Sequence, residues 1–320
     1  MNGIINVLKP AGMTSFDVVG HLRKVAGQKK IGHTGTLDPS AVGVLPICLG
    51  NATRAIEFMM EKDKVYRAEL TLGYATDTQD SSGNVIFSGS VDFDHADIQA
   101  AIVSFVGEQE QLPPMYSAIK IDGRKLYELA RQGETVERQP RKIKVFDINI
   151  IRIWDQPEAQ DHGLDREHTG SPSGKMIKKA LFQVHCSKGT YIRTLCHDIG
   201  EKLGCGGHMS FLVRTRAGSY GLDTALTLEE IRDLADRQQL EASLIPVETV
   251  FEEFDRLELD ERETFKYSNG VRLNLSGGRN NLNTDCSPYI RVYDNSGTFL
   301  GIGELFNSQG GICLKSRKFF

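Results

Sequence analysis

The chain has 320 residues, 40% hydrophobic and 25% charged, which is enough for two domains or one large core with an appendage and too mixed for a disordered or fibrous protein. No stretch approaches the roughly 18 unbroken apolar residues of a membrane span, and Met1-Asn2-Gly3-Ile4 lacks a basic start and long apolar run, so a cytoplasmic protein without membrane contact is expected. The net charge of −4 excludes nucleic-acid binding through an all-over positive field but not through a local basic face. The six cysteines, Cys48, Cys186, Cys196, Cys205, Cys286 and Cys313, contain no Cys-x-x-Cys pair and indicate neither a zinc site nor a disulfide framework.

In chain order, Ile4 to Leu8 reads as a short strand, and Ser15 as the cap of a helix through Ala26, with Val18, Val19, Leu22 and Val25 at helical spacing and Gly27 as its stop. Val65 to Gly73 alternates, placing Tyr66, Ala68, Leu70 and Leu72 on one inward face. Asp77 to Gly83 is turn-rich, and Ile98, Ala101, Ile102 and Phe105 predict a helix ending at Gly107. The paired prolines of Gln111 to Ala118 exclude an interior strand and predict an extended surface arm. A turn at Ile121 to Arg124 and a short helix at Leu126 to Ala130 follow.

Lys144 to Trp154 predicts a long strand, and Asp155 to Gly174, polar and without apolar period, a mobile loop. Ala180, Phe182, Val184 and Cys186 alternate as a strand. Ile192 to Leu203 traces a helix face, with Thr190 as its expected cap. Met209, Phe211 and Val213 indicate another strand, and Thr227 with Glu230 a capping box. A boundary is expected at about residue 250. Beyond it, Tyr289 to Tyr293 and Thr298 to Leu305 flank Asp294-Asn295-Ser296-Gly297 as a hairpin.

The chemistry concentrates in Gly32-His33-Thr34-Gly35-Thr36-Leu37-Asp38-Pro39, followed by Ser40 to Pro46. Pro39 biases Asp38 toward an extended backbone, and the glycines before it permit tight turns, so one carboxylate is held at a loop tip. Taken alone it fits an Asx-type turn as well as a catalytic acid. Positive charge gathers in Lys120, Arg124, Lys125, Arg131, Arg138, Arg141, Lys142 and Lys144, whereas Glu229 to Glu263 is acidic.

Together with Lys9-Pro10-x-Gly12-x-Thr14-Ser15-Phe16-Asp17, Lys64-x-Tyr66, Pro113-Pro114-x-Tyr116-Ser117-Ala118-x-Lys120, Gly189-Thr190-Tyr191-Ile192-Arg193 and Gly204-Cys205-Gly206-Gly207-His208, these segments resemble the TruB family of tRNA pseudouridine synthases. The resemblance implies an α+β fold: a mixed, mainly antiparallel sheet with flanking helices and a small β-rich, PUA-like C-terminal domain. It divides the chain into a catalytic domain over residues 1–250, carrying an RNA-binding insertion at about 109–144, and a PUA-like domain over 251–320. The implied activity is conversion of a T-loop uridine of tRNA to pseudouridine, on a flipped-out nucleotide, by a monomer needing no cofactor, metal or obligate protein partner.

By the same resemblance Asp38 is the nucleophile, Arg193 its ion-pair partner, and Tyr66 the residue that stacks on the target uracil and helps remove its C5 proton. His33 supports the displaced loop bases, Lys9 and Lys120 contact or organise the site, and Leu212 lines the pocket. Arg124, Lys125, Arg141 and Lys142 bind phosphates within the insertion. Each has a structural alternative when taken alone: a solvated helix end for Arg193, a core ring for Tyr66, surface charges for the lysines. A non-catalytic tRNA-folding protein would need the basic arm but not Asp38, Tyr66 and Arg193 together. A guide-dependent rRNA enzyme is disfavoured by the lack of a Lys-rich tail. Glycoside hydrolysis would call for two flanking carboxylates, and no phosphate-binding glycine motif supports a nucleotide-binding enzyme.

Overall fold

The structure, a computed structural model, describes residues 1–121, 123–157, 176–275, 287–308 and 311–320. Nine strands form the main sheet: β1 (Gly3–Lys9), β2 (Ile31–His33), β3 (Val42–Leu49), β4 (Lys64–Leu72), β5 (Gly107–Gln111), β6 (Arg141–Pro157), β7 (Met176–Cys186), β8 (Gly207–Ala217) and β9 (Tyr220–Gly221). Their order is β1-β3-β8-β4-β7-β6-β5, with β2 on β3 and β9 on β8. All pairs are antiparallel except β3 with β8, where Val42 and Gly43 run beside Val213 and Arg214. Mixed α+β architecture is what the sequence pattern implies.

Helix α1 (Ser15–Val25) buries Val18, Val19 and Leu22 with Ile5, Val7, Leu45 and Ile47. Its cap is Thr14 rather than Ser15: Thr14 and Asp17 form a reciprocal capping box, which frees the Ser15 hydroxyl for other work. Helices α2 (His95–Val103) and α3 (Ile192–Lys202) place Ile98, Ile102, Leu195 and Ile199 in one core with Ala68, Leu70, Phe182 and Val184. Inward Ala68, Leu70 and Leu72 follow the predicted alternation of β4. The C-terminal sheet is built from Arg256–Glu258, Tyr289–Tyr293, Phe299–Ser308, Gly311–Phe319 and Leu273–Asn274. Its Ile302, Phe299 and Phe320 pack with Phe251, Val44 and Ile4 of the larger part.

Further expectations change. The Gln111 to Ala118 segment is not a surface arm: Gln111, Pro113, Pro114 and Ser117 are buried, because Gln111 bonds the Tyr191 backbone through both side-chain ends and Arg138 donates to the Pro113 carbonyl. The predicted strand at 144–154 starts earlier and ends later, so Arg141–Val145 pairs with β5 and Asp155–Pro157 with Met176–Lys178. The expected loop at 155–174 therefore begins in strand, and its residues 158–174 lie outside the described residues. A register shift between Met209 and Phe211 turns Phe211 outward, 47% exposed, and Leu212 inward. Thr190 does not cap α3; its hydroxyl donates to the Ser187 carbonyl and Tyr191 is the cap residue. Among the described residues no helix is long and apolar enough to cross a membrane.

Candidate active site

Asp38 follows β2 in the loop before β3, and two side chains, one from α1 and one from the strand before it, together with a backbone amide between them, fix that loop. The Ser15 hydroxyl accepts the Leu37 N–H at 2.9 Å and donates to the Leu37 carbonyl at 3.3 Å. Lys9, fully buried, donates from Nζ to the carbonyls of Pro10, Met13 and Pro39 at 2.8, 2.6 and 3.3 Å, and the Gly12 amide donates to the same Pro39 carbonyl at 2.8 Å. Burial lowers the Lys9 ammonium to a pKa of about 8, against the pull of the Asp38 charge. Lys9 thus acts on the loop from beneath rather than from solvent.

Arg193 enters from the first turn of α3. Its Nε lies 2.9 Å from Asp38 Oδ2 and its Nη2 3.4 Å from Oδ1, a two-pronged grip on a carboxylate that remains 35% exposed while the guanidinium is only 6% exposed. The remaining donors reach the Thr78 carbonyl at 3.1 Å and the Tyr116 carbonyl at 2.7 Å. Thr78 is presented by a tight loop in which Gln79 adopts φ +63° and accepts a bond from Thr194, the neighbour of Arg193, at 2.8 Å. Geometry of this kind leaves the acid oriented, with one side open to a substrate.

Tyr66 on β4 lies opposite Val184 of β7 and Arg214 of β8. Burial raises its hydroxyl pKa, while a hydrogen bond and the charge of Arg214 oppose the shift. Arg214 is 2% exposed and donates to the carbonyls of Val44 at 2.7 Å and Gly35 at 3.2 Å, joining β8 to both flanks of the Asp38 loop. Leu212, buried two residues earlier, pairs with Ala68 on the same sheet face. His33 accepts the Gly35 amide on Nδ1 at 3.3 Å and meets the ring of Phe16; burial and then Arg214 hold its pKa below the usual imidazole value.

The basic residues divide. Arg124 is engaged with Gln132 and Glu134, and Lys125 lies over the Tyr127 ring. Lys120 is exposed on the hairpin it forms with Lys125. Arg141 and Lys142 are exposed at the start of β6, and the charge of Arg141 reaches Tyr191, whose hydroxyl pKa burial raises. The structure therefore brings Asp38, Arg193, Tyr66, Lys9, His33 and Leu212 into one region, and spreads Lys120, Arg124, Lys125, Arg141 and Lys142 along the insertion.

Arg214, Tyr191 and the Thr78 and Tyr116 carbonyls were not anticipated. Arg214 had a signal only through Leu212: the resemblance puts Leu212 in the pocket, and a residue two further along a strand shares its face.

Cavities of about 600 Å³ around His95 and Asp155 and about 320 Å³ around Asp63 and Tyr220 are not lined by Asp38.

Residues 23–192 match the model of the TruB family pseudouridylate synthase N-terminal domain, and residues 193–252 that of the tRNA pseudouridylate synthase B C-terminal domain. The chain is 42% identical over 324 aligned positions to tRNA pseudouridine synthase B of Clostridioides difficile, covering 100% of both chains. It is 47% identical to tRNA pseudouridine synthase B of Alkaliphilus oremlandii, covering 85% of this chain and 83% of the relative. In fold it is similar to the crystal structure of a Cbf5-Nop10-Gar1 complex, with TM-score 0.67 and 24% identity over 99% of this chain and 84% of that one. A lone acid gripped by a buried arginine on a mixed sheet thus stands in a sequence matched from end to end, and the chain belongs to the TruB family of pseudouridylate synthases.

Proposed function

We propose that this protein isomerises a uridine in the T-loop of tRNA to pseudouridine, with Asp38 as nucleophile. The observation that carries this reading is the Asp38–Arg193 pair, whose carboxylate is oriented by a buried guanidinium and yet reachable from outside. In the reaction the bond from ribose C1′ to uracil N1 breaks, the ring turns, C5 bonds to C1′, the C5 proton leaves, and N1 takes up a proton. Atoms and electrons balance within the nucleotide, so a nucleophile that adds and later departs suffices. Tyr66, whose hydroxyl pKa burial raises further above its ordinary value, supplies a flat face for the uracil and a hydrogen-bonding tip.

A uridine inside a folded loop reaches Asp38 only when flipped out, at a cost on the order of a few kcal/mol. His33, beside the Asp38 loop, supports the bases left behind, Leu212 lines the pocket, and Lys9 sets the loop. Lys120, Arg124, Lys125, Arg141 and Lys142 meet the RNA backbone. The domain division at about residue 250, action as a monomer in the cytoplasm, and independence of guide RNA complete the reading; the names of the relatives support the tRNA substrate. The test is incubation of the wild type and Asp38→Asn with an unmodified T-arm stem-loop, followed by chemical mapping of pseudouridine. Product from the wild type alone, with both proteins binding the RNA, is expected. Equal product from both would remove Asp38 as nucleophile.

A further inference from the structure

Phe16 is the second residue of α1, and its ring is 70% exposed. The backbone that carries it is firmly held. Residue 14 before it and residue 17 after it close the capping box, with the Asp17 amide 3.1 Å from the Thr14 hydroxyl and the Thr14 amide 2.8 Å from the Asp17 carboxylate. Its neighbour Ser15 is double-bonded by hydrogen bonds to Leu37, the residue preceding Asp38. Any shift of this helical turn would therefore drag the catalytic loop with it. Beside Phe16 stands His33, with ring centroids 5.1 Å apart and planes at 85°. The two rings make a right-angled corner at the edge of the site.

One exposed apolar side chain is ordinary on a protein surface; what sets Phe16 apart is its place, edge-on to His33 and on the helical turn whose Ser15 is bonded to the residue before Asp38. Flat rings accept nucleobases because every base has a π-face, and a rigid platform loses little entropy on binding. The imidazole adds a donor: with Nδ1 accepting from Gly35, Nε2 carries the proton of the neutral ring and can bond a base edge. We infer that Phe16 is a stacking platform for an unpaired nucleobase of the RNA next to the flipped uridine, with His33 as the second wall of the corner. This rests on the RNA substrate proposed above and adds to it a residue that binds without reacting.

The experiment uses the full chain and a T-arm stem-loop carrying 2-aminopurine at successive loop positions other than the target. Wild type, Phe16→Ala, Phe16→Leu and Phe16→Tyr are compared for KM, kcat and 2-aminopurine quenching. Loss of a stack on this scale predicts a KM about tenfold higher for Phe16→Ala and Phe16→Leu, with kcat within about twofold of wild type. Quenching at one loop position should disappear with them and return with Phe16→Tyr. An exposed ring gives no reason for loss of folding, so unchanged melting of the variants is expected.

Wild-type KM and quenching in Phe16→Ala would overturn the inference, as would a fully competent Phe16→Leu, which keeps apolar bulk without a flat face. If Phe16→Ala instead alters self-association and leaves RNA affinity intact, the ring belongs to a protein contact and the inference likewise falls. Absence of pseudouridine from the wild type, with quenching still dependent on Phe16, would strike the proposed reaction and leave the platform standing.

Discussion

Arg193 donates from Nη2 to the Tyr116 carbonyl at 2.7 Å while its Nε holds Asp38 at 2.9 Å, so one guanidinium joins the proline segment to the candidate nucleophile. A third arm reaches the Thr78 carbonyl. The planar fork of an arginine meets three partners in fixed directions, which a lysine on a single nitrogen cannot reproduce.

Arg193→Lys should therefore keep the positive charge and lose the geometry. Leaving a buried carbonyl unpaired costs on the order of 1–3 kcal/mol of stability. Misplacing the acid by about an ångström should reduce kcat/KM about a hundredfold. Single-turnover conversion of the stem-loop, with melting measured alongside, checks both. Near-wild-type turnover in Arg193→Lys would mean that charge alone, and not the fork, serves Asp38.

Lys9 gives a pH-dependent prediction with a definite sign. Its pKa is near 8 in the folded chain and 10.5 as a free side chain, with burial as the main cause. Between those values the unfolded state holds more of the proton, so the Lys9 contribution to stability rises as pH increases from about 8 to 10.5 and is least favourable below 8. Lys9→Met preserves the apolar stem and removes the titration along with the three carbonyl contacts. Subtracting its melting profile from that of the wild type should reveal a difference that grows toward alkaline pH. A difference that is flat or shrinking over this window would contradict the assigned shift. Activity should fall at least about tenfold at pH 7, since the Asp38–Pro39 loop loses its clasp.

Much of this arrangement was legible because local rules and tertiary packing agree. The alternation of β4 turns Tyr66 toward the core side, and the glycines and Pro39 isolate Asp38 in a loop, without reference to any distant residue. Where the sequence misled, a long-range contact had overridden a local preference. Pro113 and Pro114 lack amide donors, which argues for the surface, yet Gln111 and Arg138 supply the bonds that let the segment pack inside. Phe211 continues the period of Met209 on paper, but an irregular register with β4 exchanges its place with Leu212. Thr14 takes the cap position because Asp17 returns its bond in a capping box, a local Thr-x-x-Asp spacing that the neighbouring Ser15 obscured.

Gly43 is a place where a single methyl group would test the frame behind Tyr66. Its φ is +114°, and a Cβ there would lie 2.2 Å from the Arg214 carbonyl oxygen. Backbone cannot yield as a side-chain tip does, so Gly43→Ala must push β3 from β8 or distort both. A loss of about 2–4 kcal/mol and a melting point several degrees lower are expected. Arg214 bonds Val44 and Gly35 across this contact and also faces Tyr66, so kcat should drop in the fraction that still folds. Unaltered melting would show that the two strands can part at Gly43 without cost.

The basic residues of the insertion should make separable contributions to RNA affinity. Arg124 already serves Glu134 and Gln132, and Lys125 lies on Tyr127, whereas Arg141 and Lys142 are exposed at the start of β6. The latter two are the better placed to displace counterions from a phosphate backbone. Each phosphate neutralised on duplex nucleic acid contributes about 0.9 to the slope of log affinity against log salt concentration. Arg141→Ala with Lys142→Ala should weaken binding of the T-arm stem-loop and reduce that slope by about 2, leaving kcat at saturating RNA close to the wild type. The Arg124→Ala and Lys125→Ala pair should change the slope less, because those cations are partly neutralised or occupied within the chain. Titrations at three or more salt concentrations distinguish the pairs, and equal slopes in both would remove the proposed division of labour.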